Sequence, residues 1–401
     1  MITVEEAQRK LLARARPLPP EDVPVLKSLG RVLREDIRSP LSIPPFDKAA
    51  MDGYAVRASD VRAASERSPV ELKVLEDLPA GRVGRHRLKE GTASRIMTGA
   101  PVPAGADAVV MVEHTEKAGD RVRVLKAAAP GDHIAPAGED VKKGERVLGK
   151  GTVIRPAEMG MIAATGRNRV KVGVRPVVAV LSTGSEIVTP GRPLKPGRIY
   201  DANGPSLTGL AASRGAAARF LGIAPDRKGA LEGKIRGAGD FHVLVLSGGV
   251  SVGDHDLVQE ILLGMGVRRL LWKVAMKPGK PVFAGMLGGR FVLGLPGNPV
   301  SCMVTFELFV RPVLDALLGR AERGGRRGQA CLMETLTLKP DRRKFLRGRV
   351  HVVDGRLCVR LFGAQQSGIL RSMVESDALV DVPEGVERLE AGNLVDILFL
   401  E

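Results

Sequence analysis

The stretches PVVAVLSTGSE (176–186), FHVLVLSGG (241–249) and FVLGLPGNPVS (291–301) decide the fold. Each is a near-continuous apolar run, rich in Val and Leu, that stops at a glycine turn. A strand buried on both faces needs that composition, whereas a half-exposed strand alternates polar and apolar residues. ARFLGIA (218–224) and LLWKVAM (270–276) add two further runs. Between the runs, DANGPSLTGLAASRG (201–215) and DHDLVQEILLGMG (254–266) carry helical patterning. A long helical stretch, PVSCMVTFELFVRPVLDALLG (299–319), follows the last run. Strands alternating with helices predict a doubly wound α/β domain with a central parallel sheet, over residues 176–320.

Outward from that domain the rhythm changes on both sides. Residues 41–141 contain the short runs VELKVL, ASRIMTG, ADAVVMVE and RVRVL, broken by turn residues, which predicts a β-rich inserted domain. Residues 1–40 and 142–175 frame it as a discontinuous linking unit. Thr3 and Glu6 form a capping-box pattern before Val4, Ala7, Leu11 and Leu12, and Pro17, Pro19 and Pro20 end that helix. Residues 321–401 return to β patterning, with Asp354-Gly355 as a hairpin signal, and predict a C-terminal β-barrel-like domain.

Composition narrows the function. The 401 residues carry 61 Lys and Arg against 45 Asp and Glu, a formal charge of +16. Aromatic residues make up only 3%, too few for base-stacking platforms, and the cations are spread along the chain, so no specific nucleic acid is expected. The densest groups, 320–327 and 342–349, read mainly as solvated surface. No apolar run is long enough for a membrane span and no secretory signal opens the chain, so a cytoplasmic protein is expected. The three cysteines (Cys302, Cys331, Cys358) lack metal-site spacing, and Cys302 reads as a buried apolar residue. The six histidines are scattered. The P-loop-like GERVLGK (144–150) has Gly151 where a Mg²⁺-holding hydroxyl belongs, and no G-x-S-x-G elbow occurs.

In an open parallel sheet, ligands sit beyond the carboxyl ends of the strands. Three ends here run into small-residue loops, which include Gly248 and Gly249. Such glycines either make tight packing turns or let backbone N–H groups approach an anion. Glu186, Asp201, Asp254 and Asp256 stand in or beside the loops. They read either as helix caps or as oxygen ligands for Mg²⁺ on a phosphate. Lys273, Lys277 and Lys280 surround Pro278-Gly279, either as a solvated edge or as point charges for an oxyanion.

Taken together, PPFDKAAMDGYAV (44–56), RIMTGAPVPAGADAVVMVE (95–113), AGEDV (137–141), STGSEIV (182–188), DANGPSL (201–207), SGGVSVGDHD (247–256), KPGKP (277–281) and LPGNPVS (295–301) resemble the molybdopterin molybdenumtransferase family. This is the molybdenum insertase, related to the gephyrin E domain. FLRGR (345–349) and QQSGIL (365–370) extend the resemblance into the tail.

The resemblance implies an elongated homodimer of four-domain subunits. It further implies transfer of molybdenum from molybdate to adenylylated molybdopterin, with Mg²⁺-dependent hydrolysis and AMP release. By position it implies catalytic roles for Asp52, Thr98, Glu186 and Asp256, and Mg²⁺ ligation by Glu186, Asp256 and Asp140. Substrate binding falls on Ser251, Lys277, Lys280, Pro281, Pro296, Pro299, Arg347 and Ser367, beside Gly248, Gly249 and Lys273 from the rim reading. The second domain's Asp52 and Thr98 would act in trans. The resemblance also implies transient contact with molybdopterin adenylyltransferase and with acceptor enzymes. Where the family commonly has an arginine, this chain has Ala135. A molybdopterin adenylyltransferase-like enzyme and a non-enzymatic scaffold on the same fold are the alternatives.

Overall fold

The computed structural model of the chain describes residues 1–249 and 257–400. Ser251, Asp254 and Asp256 lie outside the described residues.

The central sheet has six strands in the order Ala217–Ala224, Val177–Thr183, Val243–Ser247, Arg290–Leu295, Phe283–Leu287, Arg268–Trp272. The first four run parallel. The inner three bury both faces, successive side chains pointing opposite ways, whereas Ala217–Ala224 at the sheet's edge is largely exposed or half-buried. Val178, Val180, Val243, Val245 and Leu293 join one core, while Ala179, Leu181, Leu244, Leu246 and Val292 join the other. Helix Asn203–Ser213 and the long helix from Pro299 cover the first face. Helices Lys228–Arg236 and Leu257–Gly264 cover the second. The doubly wound α/β domain is therefore present, with one departure from a fully parallel sheet. Phe283–Leu287 is a strand, antiparallel to Arg290–Leu295. Gly288 and Gly289 turn the hairpin with φ of 54° and 84°, conformations that side-chain-bearing residues avoid.

The long helix is not uniform. It runs α over Pro299–Thr305, π over Phe306–Val310 and α again over Arg311–Leu318. Pro312 has no N–H to offer the Leu308 carbonyl four residues back. Gln8 Nε2 donates to that carbonyl instead, at 2.9 Å. Gln8 belongs to helix Val4–Leu12, whose capping box at Thr3 and Glu6 is formed. Its Val4, Ala7 and Leu11 are buried in the first core of the α/β domain.

The C-terminal strands Arg327–Leu332, Arg343–Val353, Arg356–Leu361, Ala378–Val382 and Leu394–Phe399 close into a barrel, each pairing with two others. Asp354 and Gly355, with φ of 49° and 73°, turn the expected hairpin. The two-residue strand Met276–Lys277 pairs in parallel with Arg343–Lys344, which docks the KPGKP loop on the barrel. In the middle region, a six-stranded sheet runs Ala108–Met111, Gly53–Val56, Thr92–Ile96, Val70–Leu78, Arg121–Val124, Thr115–Ala118. Gly53 has no space for a side chain: a Cβ there would stand 1.9 Å from the Val110 carbonyl oxygen. Antiparallel pairs Pro20–Pro24 with Arg169–Gly173 and Ile37–Arg38 with Arg146–Leu148 tie the chain before this sheet to the chain after it. Among the described residues, no helix is long and apolar enough to cross a membrane.

Candidate functional site

The ends of three parallel strands lie side by side, with Ser182 paired to Ser247 and Ser247 to Leu295. The glycine turns beyond them pack against one another. A Cβ on Gly248 (φ 91°) would stand 2.4 Å from the Thr183 carbonyl oxygen, and Gly297 approaches Gly248 Cα. Gly248 N–H donates to the Leu295 carbonyl at 3.1 Å, and Thr183 Oγ1 donates to the Ser247 carbonyl at 3.3 Å. Gly249 (φ 68°) lies against Val258 and Thr183. The turns thus form a single rim. Glu186 is exposed at its edge; its backbone carbonyl accepts the Ile199 N–H at 3.1 Å, while its carboxylate has no hydrogen bond or ion pair among the described residues. Beside it, Asp226 and Ser185 bond reciprocally, each backbone N–H donating to the other's side chain at 3.0 and 3.1 Å.

The loop Leu295–Ser301 leads from this rim to a cavity of ≈ 830 Å³ between the α/β domain and the barrel. Lys277, Lys280, Pro281, Pro296, Asn298, Ser301 and Ser367 line it, together with Lys339, Arg342, Lys344 and Arg347 from the barrel side. No Asp or Glu is among these described lining residues. Pro299 starts the helix at the cavity's edge. Asn298 Nδ2 donates to Ser367 Oγ at 2.8 Å, and Val300 N–H donates to the Ser367 carbonyl at 3.1 Å. These bonds join the two domains across the cavity.

Arg347 is fully buried. Its Nε donates to Ser372 Oγ at 3.0 Å, and Nη2 donates to the Ala364 and Gln366 carbonyls at 3.3 and 3.1 Å. Nη1 has no partner. Burial pulls its pKa down to about 10, and no carboxylate offsets that effect. A buried cation without a counter-charge is costly, so the arrangement suits a site whose ligand supplies the negative charge. Gln365 holds the Arg347 backbone from both sides, Oε1 accepting its N–H and Nε2 donating to its carbonyl, each at 3.0 Å. Lys344 is buried too, but its ammonium is taken up by Asp341 at 3.1 Å and by the Arg342 and Lys339 carbonyls. The side chains of Lys277 and Lys280 form no ion pair among the described residues, and both face the cavity. Lys273 is not among the lining residues; its Nζ lies 5.3 Å from the Trp272 ring centroid.

Asp52 and Thr98 form a third constellation, at the end of strand Gly53–Val56. Thr98 N–H and Oγ1 both donate to Asp52 Oδ1 at 2.7 Å. The backbone bond first, then the hydroxyl, holds the Asp52 carboxyl below the usual aspartate range. Both residues are exposed, and neither lines the cavity of its own chain. Asp140 is exposed as well, its N–H donating to the Ile43 carbonyl at 3.0 Å. Cys302 is buried, and burial pushes its thiol pKa up to about 12, which suits a packing residue.

The structure therefore joins the three glycine turns, Lys277, Lys280, Pro281, Pro296, Arg347 and Ser367 in one region, and leaves Asp52, Thr98 and Asp140 outside the cavity. Sequence reading missed Asn298, Gln365, Asp226 and the buried Asn203. Asn298 stands inside the quoted LPGNPVS, so a signal was present; Gln365 acts across the barrel on a residue 18 positions away.

Residues 2–166 match the MoeA N-terminal region (domain I and II), 179–316 a probable molybdopterin binding domain, and 329–400 the MoeA C-terminal region (domain IV). Molybdopterin molybdenumtransferase 2 of Mycobacterium tuberculosis is 40% identical over 99% of both chains. A molybdopterin molybdenumtransferase of Staphylococcus aureus is 35% identical over 100% of this chain and 96% of its own. The crystal structure of a molybdopterin biosynthesis MoeA protein from Pyrococcus horikoshii superposes with a TM-score of 0.84 at 34% identity, covering 100% of both chains. By these full-length likenesses the chain belongs to the molybdopterin molybdenumtransferase family of molybdenum cofactor biosynthesis.

Proposed function

We propose that the protein transfers molybdenum from molybdate to adenylylated molybdopterin, with Mg²⁺-dependent hydrolysis of the phosphoanhydride and release of AMP. One observation carries the reading: a fully buried guanidinium with an unpartnered Nη1 lines a cation-rich cavity that adjoins a glycine rim. Arg347, Lys277 and Lys280 bind the molybdate dianion, with Ser367 and Asn298 as neutral donors. Rim N–H groups other than those spent on the bonds above hold the phosphates, as oriented backbone N–H groups do for anions. Water adds to the phosphoanhydride, the bridging P–O bond breaks, and AMP leaves with a proton released; two Mo–S bonds form as one Mo–O bond breaks, the displaced oxide leaving as water with the two dithiolene thiol protons.

Glu186 is an unpaired hard oxygen donor at the rim, and Asp256 and Asp140 complete the proposed Mg²⁺ ligands. Among the described residues, no three metal-type side chains cluster. Substrate phosphates would supply further oxygens, as they commonly do for Mg²⁺. When bound, the cation would neutralise charge on the phosphate oxygens. Asp52, kept ionised by Thr98, acts in trans within a homodimer, because its own chain's cavity does not include it. Cytoplasmic location and transient contact with the adenylyltransferase and with acceptor enzymes follow from this role. Domain limits at 1–40 with 142–175, 41–141, 176–320 and 321–401 fit it as well.

The test is product analysis. Adenylylated molybdopterin and molybdate are expected to yield AMP in a molybdate-dependent burst. ATP consumption with free molybdopterin would instead identify an adenylyltransferase, and no turnover of either would identify a scaffold.

A further inference from the structure

The rim's geometry depends on a residue to which no role has been assigned. Asn203 opens helix Asn203–Ser213 and is 8% exposed. Its Nδ2 donates to Ser247 Oγ at 2.7 Å and to the Gly297 carbonyl at 2.7 Å. Ser247 ends the second strand and precedes Gly248-Gly249, while Gly297 is the glycine of the third loop. One amide thus spends both hydrogens on two of the three rim turns. Ser247 Oγ also accepts from Cys302 Sγ at 3.5 Å, so the contact extends to the helix behind the third loop. The neighbouring backbone is fixed independently, since Asp201 Oδ1 accepts the Gly204 N–H at 2.9 Å. Beyond the Ser247–Leu295 ladder pair, the Gly248 N–H bond to Leu295 and the Asn203 bridge are the ties described between these two turns.

We infer that Asn203 is a positioning residue, which sets the separation of the Ser247–Gly249 turn and the Leu295–Asn298 loop and thereby the phosphate-binding half of the site. The inference rests on the proposed function, with the adenylylated pterin on the rim and molybdate in the cavity. Asn203 does not line the cavity. The Leu295–Asn298 loop also borders the cavity, but Asn298 there is held independently by Ser367, so loss of Asn203 acts chiefly on the substrate at the rim.

The experiment compares wild type with Asn203→Ala and with Asn203→Asp, which keeps the shape but removes the amide donor. Two neutral hydrogen bonds correspond to roughly a 10- to 100-fold fall in kcat/KM for adenylylated molybdopterin. The fall is expected mainly in KM for that substrate, with molybdate affinity by calorimetry changed less than about twofold. Should the alanine variant fail to fold, the aspartate variant carries the test. Unchanged kcat/KM in a folded variant overturns the inference, as does an equal loss of molybdate affinity. A wild-type protein that releases no AMP with molybdate overturns the functional reading instead, so the two failures are separable.

Discussion

Replacing Arg347 by methionine separates what a buried guanidinium does for folding from what it does for an anion. On the folding side the variant loses three hydrogen bonds and leaves the Ala364 and Gln366 carbonyls short of a donor, at about 1–3 kcal/mol each. Against this, it removes a cation buried without a counter-charge, whose effective penalty is several kcal/mol. The two effects oppose each other, and the free protein should change by no more than about 2 kcal/mol. The anion has no such compensation. A charge-assisted bond of about 1.5–3 kcal/mol corresponds to molybdate binding weaker by roughly 10- to 100-fold.

Thermal unfolding reads both quantities. At 100 times its Kd, molybdate should stabilise wild type by about 2.7 kcal/mol, a rise of roughly 5–10 °C for a unit of 150–250 residues. At the same concentration, a variant with 100-fold weaker binding gains about 0.4 kcal/mol, or roughly 1 °C. The pH dependence has a definite sign. Burial lowers the pKa of Arg347 to about 10, so its charge is complete at neutral pH and is lost as pH rises through that value. Molybdate affinity should stay level from about pH 7 to 9 and fall above about pH 10. Wild-type molybdate affinity in the methionine variant would refute the reasoning.

Three further outcomes follow. Asp52→Ala and Lys277→Ala subunits, each inactive alone, should regain about a quarter of wild-type AMP release when mixed and allowed to exchange, since half the dimers then carry one intact trans site; no recovery would place Asp52 in cis. Gly248→Ala forces a Cβ to 2.4 Å from the Thr183 carbonyl oxygen at φ 91°, and its urea midpoint should report a loss of roughly 2–4 kcal/mol; an unchanged midpoint would mean the turns are not packed as described. In thiol labelling of the native protein, half-buried Cys331 should react well before Cys302, which reacts only on unfolding because it is buried and its pKa is pushed up to about 12.

The architecture was legible where the physics is local. Apolar runs ending in glycine turns marked the buried strands, and both the Thr3–Glu6 capping box and the Asp354-Gly355 turn formed as their residues dictate. The glycine turns were legible as a rim because a parallel sheet aligns its strand ends. Strand Phe283–Leu287 is hard to read because KPVFAG follows the KPGKP loop directly and its apolar run is short and interrupted by Gly285. The π turn was also missed, since the proline that disrupts the helix is answered by Gln8, 300 residues away.

Burial was the larger blind spot at the site. RRKFLRGR (342–349) read as solvated charge, yet residues 344–348 are buried in succession on both faces of their strand, Arg347 and Lys344 among them. No local pattern distinguishes an arginine that caps a surface from one that waits for an anion. Asn298 and Ser367, 69 residues apart, meet only because the barrel docks on the α/β domain.

The most direct measurement is a crystal structure of the protein with molybdate and AMP, using the anomalous signal of molybdenum. The account predicts a molybdenum peak in the cavity, within hydrogen-bonding reach of Arg347, Lys277 and Ser367, with the AMP phosphate on the turns at Gly248 and Gly297. A molybdenum peak elsewhere, or AMP bound away from those turns, would contradict it.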